Sequence, residues 1–274
     1  MKPHLPLAPV RCALITDSHL GPSRDSELHG HRPYDRLRQA LRTIAELPTA
    51  VDLVLHCGDL SQDRSPESYA LAHELVRELL RDTGVPVYFL MGNHDSVELL
   101  HREFAVPVRT YPDKAMSADF SFTVGHQRFV VLDSWHANTH DPLGFVTASQ
   151  LVWLEETLGE STAAGEKAVV CVHHAPIPTG SPWLDANMII TNGEDLHRLL
   201  ARYSPAVGIV VHGHLHRAMT VVRDGVVYAG APSVVWQYLW EPWRTEPEQD
   251  PLTPPMYTLL ECFPDRIQLA AYPI

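Results

Sequence analysis

The sequence lacks the features of membrane, secreted and nucleic-acid-binding proteins. No apolar run approaches the length of a membrane-spanning helix, and the N-terminus, interrupted by prolines, has no stretch typical of a secretory signal. The four cysteines each lie in or beside an apolar run, which predicts buried free thiols and a cytoplasmic protein. A net charge of −12 disfavours nucleic acid and anionic membranes as partners, unless a local positive site such as a metal centre reverses the field.

Histidine, in contrast, is abundant, with seventeen residues in a chain of 274. The hydrophobic content of 45% is enough for a large buried core. No internal repeat or convincing linker divides the chain, so we predict one domain over residues 1–274. Within it, residues 236–255 contain three tryptophans and five prolines. We interpret this segment as a lid or as a contact between two copies of the chain.

The N-terminal third alternates predicted strands and helices. Apolar runs at 11–16, 51–57 and 85–91 predict three buried strands. Between them, helical spacing predicts a helix at 34–47, and an N-cap at Ser65 followed by proline predicts a second helix. This β-α-β-α-β order predicts a parallel sheet with right-handed crossovers.

The rest of the chain contains further strands and two helices. One helix should begin after the N-cap Thr147, and another should span about 194–203. The segments 120–124 and 128–132 are typical of a hairpin. The remaining predicted strands are 168–172, 206–211, 219–222, 226–229, 257–262 and 267–272.

Five of the predicted strands end in side chains that can bind metal ions. Parallel strands carry such groups to one edge of a sheet, where ligands of α/β folds bind. A single histidine is more often a core or surface residue satisfied by hydrogen bonds, but five such ends argue against that alternative. Gly58 before one aspartate would allow close approach of the backbone. The strand-end residues are Asp17 and His19, Asp59, Asn93 and His94, His173 and His174, and His214 and His216.

The residue types at these ends favour two transition metal ions. Imidazole, carboxylate and amide groups suit iron, manganese, zinc or cobalt, and the lack of cysteine among them argues against a structural zinc site. With Asp17 and Asp59 as the only anionic ligands, two divalent ions would leave a positive centre. Such a centre attracts phosphate and lowers the pKa of a bridging water, and two metals can clamp both oxygens of an in-line displacement.

The strand-end motifs resemble those of the calcineurin-like metallophosphoesterases, and most closely those of the bacterial class III cyclic-nucleotide phosphodiesterases. They occur in the family's order, and Asp133-Ser134 also matches that branch. The resemblance implies an α/β fold in which two mixed sheets form a four-layer α-β-β-α sandwich, in place of a doubly wound sheet. The motifs are Asp17-Ser18-His19, Gly58-Asp59, Gly92-Asn93-His94-Asp95, His173-His174-Ala175-Pro176 and Gly213-His214-Leu215-His216.

The resemblance also implies a role for each of these residues. Asp17, His19 and His216 would bind one metal ion, and Asp59 would bridge to a second. Asn93, His173 and His214 would complete the second ion's ligands, with His173 preferred over His174. Asn93 and His94 would contact the substrate, and His94 would steady the transition state and protonate the leaving alkoxide. Asp95 would orient a histidine.

We therefore predict a dinuclear metal-dependent phosphodiesterase, with iron or manganese as the leading ions and zinc or cobalt as alternatives. A metal-bridging hydroxide would attack the phosphorus of a small phosphodiester, with a 3′,5′-cyclic nucleotide as the leading substrate. Glycerophosphodiesterase, nucleotide pyrophosphatase and phosphomonoesterase activities stay open, as does a non-enzymatic metal-binding regulatory protein. Expected partners are this small molecule and a second copy in a homodimer, with no nucleic acid polymer and no membrane.

A few residues depart from the family pattern. Arg64 stands where relatives often have glycine, and it could contact a substrate phosphate or lie in solvent. His212 stands where a small residue is usual, and we expect it to be buried or beside the metal ligands. Trp183 and residues 236–255 are candidate walls of the substrate site, since aromatic rings can stack on a base.

Overall fold

Two mixed β-sheets and a small hairpin make up the strands of the computed structural model, which describes residues 8–274. The expectation that no secretory signal is present falls largely on residues 1–7, outside the described part. The strands are β1 (Val10–Ile15), β2 (Leu53–His56), β3 (Val87–Phe89), β4 (Arg109–Tyr111), β5 (Lys114–Ser117), β6 (Phe120–Val124), β7 (Gln127–Leu132), β8 (Ala168–Val172), β9 (Val207–His212), β10 (Met219–Arg223), β11 (Val226–Gly230), β12 (Met256–Cys262) and β13 (Ile267–Pro273).

Each large sheet contains parallel strands, with antiparallel strands at one edge of the first sheet and at both edges of the second. The first sheet has the order β13-β12-β1-β2-β3, in which β1, β2 and β3 are parallel as the β-α-β-α-β pattern predicts. The second has the order β10-β11-β9-β8-β7-β6, with β6 and β10 antiparallel to their neighbours. The predicted hairpin of β6 and β7 is confirmed. Strands β4 and β5 form a separate two-stranded sheet.

Two of the helices begin at the N-caps that the sequence predicts. The Ser65 side chain accepts from Ser68 N, and Thr147 forms a capping box with Gln150, so both predicted N-caps are confirmed. None of the helices in residues 8–274 is long and apolar enough to cross a bilayer. The helices are α1 (Pro33–Ala45), α2 (Pro66–Leu80), α3 (Val97–Phe104), α4 (Ala148–Ala164), α5 (Pro182–Asn187) and α6 (Gly193–Arg202).

Alternate residues of the second sheet point into different cores. In β7, Phe129 and Val131 pack between the two sheets, whereas Val130 and Leu132 pack against α4 and α6. Strands β8 and β9 repeat this alternation, and α1 and α2 cover the outer face of the first sheet. Each fully buried Val, Leu or Phe contributes about 1.5–3 kcal/mol. The layers are therefore helix, sheet, sheet and helix, and the predicted four-layer fold is confirmed.

The four cysteines all lie in the apolar core that includes both sheets. Cys12, Cys57, Cys171 and Cys262 are buried and free. Burial raises the pKa of the Cys262 thiol to about 12 and holds the other three above their ordinary value. Since the neutral thiol behaves as a small apolar group, the prediction of packed free thiols is confirmed.

Candidate metal centre

The ends of β1, β2, β3, β8 and β9 bring the predicted site residues together at one edge of the sandwich. All are buried except His94, which is half-buried. Five of them adopt a left-handed backbone that ordinary residues rarely adopt, at a cost of about 1–3 kcal/mol each. Such strain concentrated at one place is typical of functional sites. The five are Asp17 (φ 54°), His19 (φ 46°), Asp59 (φ 54°), His214 (φ 64°) and His216 (φ 46°).

One group of ligand atoms comes from Asp17, His19 and His216. The Nε2 atoms of the two histidines are 3.1 Å apart, and His216 Nε2 is 3.4 Å from Asp17 Oδ1. His216 Nδ1 donates to the carbonyl of Trp236 over 3.1 Å, so Nε2 is the ring nitrogen that faces the group. Burial lowers the pKa of His19 to about 3, so the His19 ring is neutral near pH 7.

A second group lies beside it and contains Asn93, His173 and His214. His173 Nε2 is 3.2 Å from Asn93 Oδ1, and its Nδ1 donates to the Cys57 carbonyl over 2.8 Å. The Nε2 atom of His214 is buried and has no hydrogen-bond partner among residues 8–274. An orphaned imidazole nitrogen inside a protein is costly unless it has a ligand to bind.

Asp59 lies between the two groups. Its Oδ2 atom is 3.8 Å from His19 Nε2 in the first and 3.2 Å from His173 Nε2 in the second. Burial alone would raise the pKa of Asp59, but the neighbouring His173 holds it well below the ordinary value. Burial likewise opposes the charge on His173, yet Asp59 raises its pKa to about 9. A carboxylate at this position can contact ions on both sides.

The chemistry of these atoms fits metal ions better than any other occupant. Imidazole nitrogens, carboxylate oxygens and an amide oxygen converge, with the opposite ring nitrogen of His173 and His216 bound to a backbone carbonyl. One proton can join only two such atoms, whereas a metal ion binds several at once. A carbonyl behind a ligating histidine fixes its tautomer and orientation. The two groups could therefore hold two metal ions.

His94 is placed at the same site by different contacts. Its backbone N–H donates to Asp59 Oδ1 over 2.9 Å, and its Nδ1 donates to the carbonyl of Gln62 over 2.9 Å. The ring meets the ring of His19 edge to face, with centroids 5.1 Å apart. Nε2 is therefore the nitrogen of His94 that is available to a ligand.

Asp95 corrects one sequence-based expectation. Its carboxylate accepts from the backbone N–H groups of Leu60, Ser61 and Gly92 and from the Tyr69 hydroxyl. No histidine is among its hydrogen-bond partners in residues 8–274, so the prediction that it orients one is wrong. Burial, together with the nearby Asp59, raises the pKa of Asp95 to about 6. The side chain ties the loop that carries Asp59 to the loop that carries Asn93.

His174 lies next to the second group but faces a different partner. Its Nδ1 is 2.7 Å from the Ser134 hydroxyl, and its ring centroid is 4.4 Å from that of His214. Its Nε2 has no hydrogen-bond partner among the described residues. Ring nitrogens of His173, His174 and His214 converge, but of the first two it is His173 whose Nε2 lies 3.2 Å from both Asp59 and Asn93. This geometry supports His173 as the ligand of the two.

Arg64 and His212, which depart from the family pattern, occupy defined places. Arg64 is exposed, yet its Nη2 donates to the Asn93 carbonyl over 2.5 Å and its guanidinium lies 5.1 Å from the ring centroid of Trp135. It therefore does not simply lie in solvent, because it holds the backbone of the Asn93 loop. His212 is buried, as expected, and its Nδ1 contacts the carbonyl of Gly213 at 3.1 Å.

A cavity of about 270 Å³ opens beside the ligand groups and His94. Trp183 and Met188 line one part of it, and Trp236, Tyr238 and Pro247 line another. The Trp236 ring stacks on His19 with centroids 5.0 Å apart. The expected aromatic walls are thus beside the candidate metal centre, and they give a small ligand apolar surface to pack on.

A family model and known proteins are similar to this chain over most of its length. Residues 10–218 match the model of the family described as calcineurin-like phosphoesterase. The chain is 30% identical over 230 residues to a 3′,5′-cyclic-nucleotide phosphodiesterase of Nostoc sp.. These aligned residues make up 84% of this chain and 80% of that protein. It is 29% identical over 238 residues to the 3′,5′-cyclic adenosine monophosphate phosphodiesterase CpdA of Escherichia coli, covering 85% and 80%.

A solved structure resembles the whole chain in fold. This is a dimetal phosphatase from Danio rerio, with a TM-score of 0.70, 18% sequence identity and coverage of 96% of both chains. At this identity the similarity supports the fold and no finer property.

Proposed function

The chain belongs to the calcineurin-like phosphoesterase family, and from that premise we propose that it hydrolyses a 3′,5′-cyclic nucleotide. The predicted class of enzyme, a metal-dependent phosphodiesterase, is confirmed by the family and by relatives that are named phosphodiesterases. The chain aligns with about four-fifths of the length of each of these relatives. We infer the substrate, a cyclic nucleotide, from the names of those relatives.

The observation that carries the proposal is the pair of converging ligand groups that share Asp59. We propose that Asp17, His19 and His216 bind one ion and that Asn93, His173 and His214 bind the other. Asp59 would contact both, since its Oδ2 atom faces His19 and His173. When bound, two such ions would neutralise charge on a phosphate and lower the pKa of a nearby water towards neutrality.

His94 is the proposed proton donor to the leaving alkoxide. The Gln62 carbonyl occupies Nδ1, so Nε2 is the atom that would hold the transferred proton. The bond from the His94 backbone to Asp59 keeps this ring at a fixed place relative to the ligand groups. An alkoxide leaves poorly without a proton, so this step matters most for natural alkyl diesters.

The cavity favours a small substrate. Its volume of about 270 Å³ is close to the lower end of the range of about 300–1,000 Å³ typical of small-molecule pockets. The net charge of −12 opposes binding of a long nucleic acid. Trp183 and Tyr238 are the proposed surfaces for the base.

The ions that we propose are iron or manganese, because imidazole, carboxylate and amide donors suit both, with zinc or cobalt as substitutes. The four free thiols support a cytoplasmic location, where thiols stay reduced.

We also propose that residues 236–255 form the cavity wall on one side and a homodimer contact on the other. On the outer side Trp243 and Leu252 are 74% and 90% exposed. A monomeric mass by light scattering at high protein concentration would contradict the dimer.

The experiment that tests the proposal is hydrolysis of a substrate panel by metal-stripped protein reloaded with manganese or iron. The panel contains bis(p-nitrophenyl) phosphate, p-nitrophenyl phosphate, 3′,5′-cyclic AMP, 2′,3′-cyclic AMP and glycerophosphocholine. Asp59→Ala, treated identically, is the control for contaminating activity. We expect metal-dependent hydrolysis of diesters, with 3′,5′-cyclic AMP as the best natural substrate.

Other outcomes have distinct meanings. Faster hydrolysis of glycerophosphocholine than of 3′,5′-cyclic AMP would contradict the cyclic-nucleotide substrate. The conclusion that the protein is a phosphodiesterase would still hold. Preference for p-nitrophenyl phosphate would contradict the diesterase. No turnover despite two bound ions would overturn the proposal in favour of a regulatory metal-binding protein.

A further inference from the structure

The side-chain amide of Asn93 is held at its nitrogen end by Asp141. Nδ2 of Asn93 donates to Asp141 Oδ1 over 3.0 Å, while the amide oxygen lies 3.2 Å from His173 Nε2. The two ends of an amide have almost the same size, but only the oxygen has lone pairs for a metal ion. We propose that Asp141 is a positioning residue that keeps this oxygen turned towards the second ion. The inference rests on the metal centre of the proposed function.

A carboxylate is well suited to select one orientation of the amide. It can only accept hydrogen bonds, so a flipped Asn93 would bring two acceptor oxygens against each other. The flip would also place an N–H₂ group, which cannot ligate, against His173. A hydrogen bond to a charged acceptor is about twice as strong as one between neutral groups. Asp141 therefore favours the orientation that ligation requires.

The position of Asp141 indicates that it acts through Asn93 and is not itself a ligand. It is exposed, whereas Asp17 and Asp59 are buried. Among the described residues it joins none of the groups whose ligand atoms converge. Its oxygen contacts Nδ2, the atom of the amide that faces away from His173.

The negative charge of Asp141 also calls for a reason. The next residue, Pro142, lines the cavity, so Asp141 lies near the place where an anionic phosphate would bind. A carboxylate there repels the substrate, in a chain that already has a net charge of −12. Orientation of a metal ligand is a benefit that can outweigh this repulsion.

The test is calorimetric titration of Mn²⁺ into metal-stripped protein. It compares the wild type, Asp141→Ala, Asp141→Asn and the control Glu156→Ala, which removes an exposed acid from α4. In Asp141→Ala we expect the affinity of one of two ions to fall about 10–100-fold, the usual loss when a partner of a metal ligand is removed. Asp141→Asn still offers an acceptor oxygen to Nδ2, but its N–H₂ group could also serve a flipped Asn93. Asp141→Asn should therefore recover part of the affinity and bind the weakened ion more tightly than Asp141→Ala does. Glu156→Ala should bind as the wild type does.

Thermal unfolding of the metal-free variants separates positioning from general damage. We expect equal midpoints, because Asp141 is exposed and the ions are absent. Wild-type binding of both ions by Asp141→Ala would overturn the inference. An affinity of Asp141→Asn as low as that of Asp141→Ala would also overturn it, because the charge alone would then matter. A loss of affinity for both ions together with a lowered unfolding midpoint would overturn it as well. If the wild type itself bound fewer than two ions, the proposed metal centre would fail, which is a different result.

Discussion

Gly58→Ala should damage the second ligand group through a collision that can be located. A Cβ at this position would lie 2.4 Å from His173 Nδ1 and 2.8 Å from its Cγ. Ordinary contacts between such atoms are about 3.5 Å, so the ring must move by about 1 Å. That movement breaks the 2.8 Å bond from Nδ1 to the Cys57 carbonyl. The φ of +95° adds about 1–3 kcal/mol of backbone strain for alanine.

Gly84→Ala is the matched control for this prediction. Gly84 also has a positive φ, of +67°, but its Cβ would meet no atom within 4 Å. The control should lose about 1 kcal/mol of unfolding free energy and keep its affinity for Mn²⁺. Gly58→Ala should lose about 2–5 kcal/mol in total and at least tenfold in affinity for one ion.

The assays are urea unfolding of metal-free protein and calorimetric titration of Mn²⁺. Unfolding measures the strain and the collision together, and the control supplies the strain alone. Titration shows whether His173 has left its place. If Gly58→Ala bound both ions as tightly as Gly84→Ala does, the placement of His173 as a ligand fixed by Cys57 would be refuted.

Three further predictions concern single side chains. Asp59→Ala should abolish hydrolysis and lose at least one metal ion by elemental analysis, and full metal content would contradict its shared role. His94→Ala should keep both ions and slow 3′,5′-cyclic AMP hydrolysis at least tenfold more than that of bis(p-nitrophenyl) phosphate, whose leaving group needs no proton; equal losses would exclude the proton donor. Asp119 is buried between β5 and β6, where it accepts from Asp133 N over 2.7 Å. Burial and then Asp133 raise the pKa of Asp119 to about 6. This is above its value of about 3.9 in the unfolded chain, so its contribution to stability is present below pH 4 and lost as pH rises through 6. Relative to Asp119→Asn, the metal-free wild type should therefore lose about 1–3 kcal/mol of unfolding free energy between pH 4.5 and 7, and parallel pH profiles would contradict this.

The sequence predicts the parts of this molecule whose signals are local and regular. Apolar runs locate β1, β2 and the hairpin of β6 and β7, and the side chains of Ser65 and Thr147 mark two helix starts. The sequence does not predict the short elements α3, α5, β4 and β5, since three to eight residues give little periodicity. The second sheet's packing onto the first, which makes four layers, came from the family resemblance and not from the pattern of strands.

The groups that orient the side chains of the candidate site have weaker signals in the sequence. The histidines are fixed by carbonyls of Cys57, Gln62 and Trp236, and every residue has a carbonyl. The family resemblance implies that Asp95 orients a histidine, yet it binds three backbone N–H groups and a tyrosine hydroxyl instead. Asp141 resembles any acid in a polar loop until the fold brings it to Asn93.

Because all four thiols are buried, their reactivity reports the opening of the core between the two sheets. Cys12 and Cys262 belong to the first sheet, Cys57 follows β2, and Cys171 belongs to the second sheet. A thiol reagent can reach them only when the core between the sheets opens, so the labelling rate measures the free energy of that opening. Because the four share one core, they should become reactive together, and metal loading should slow all four by the same factor.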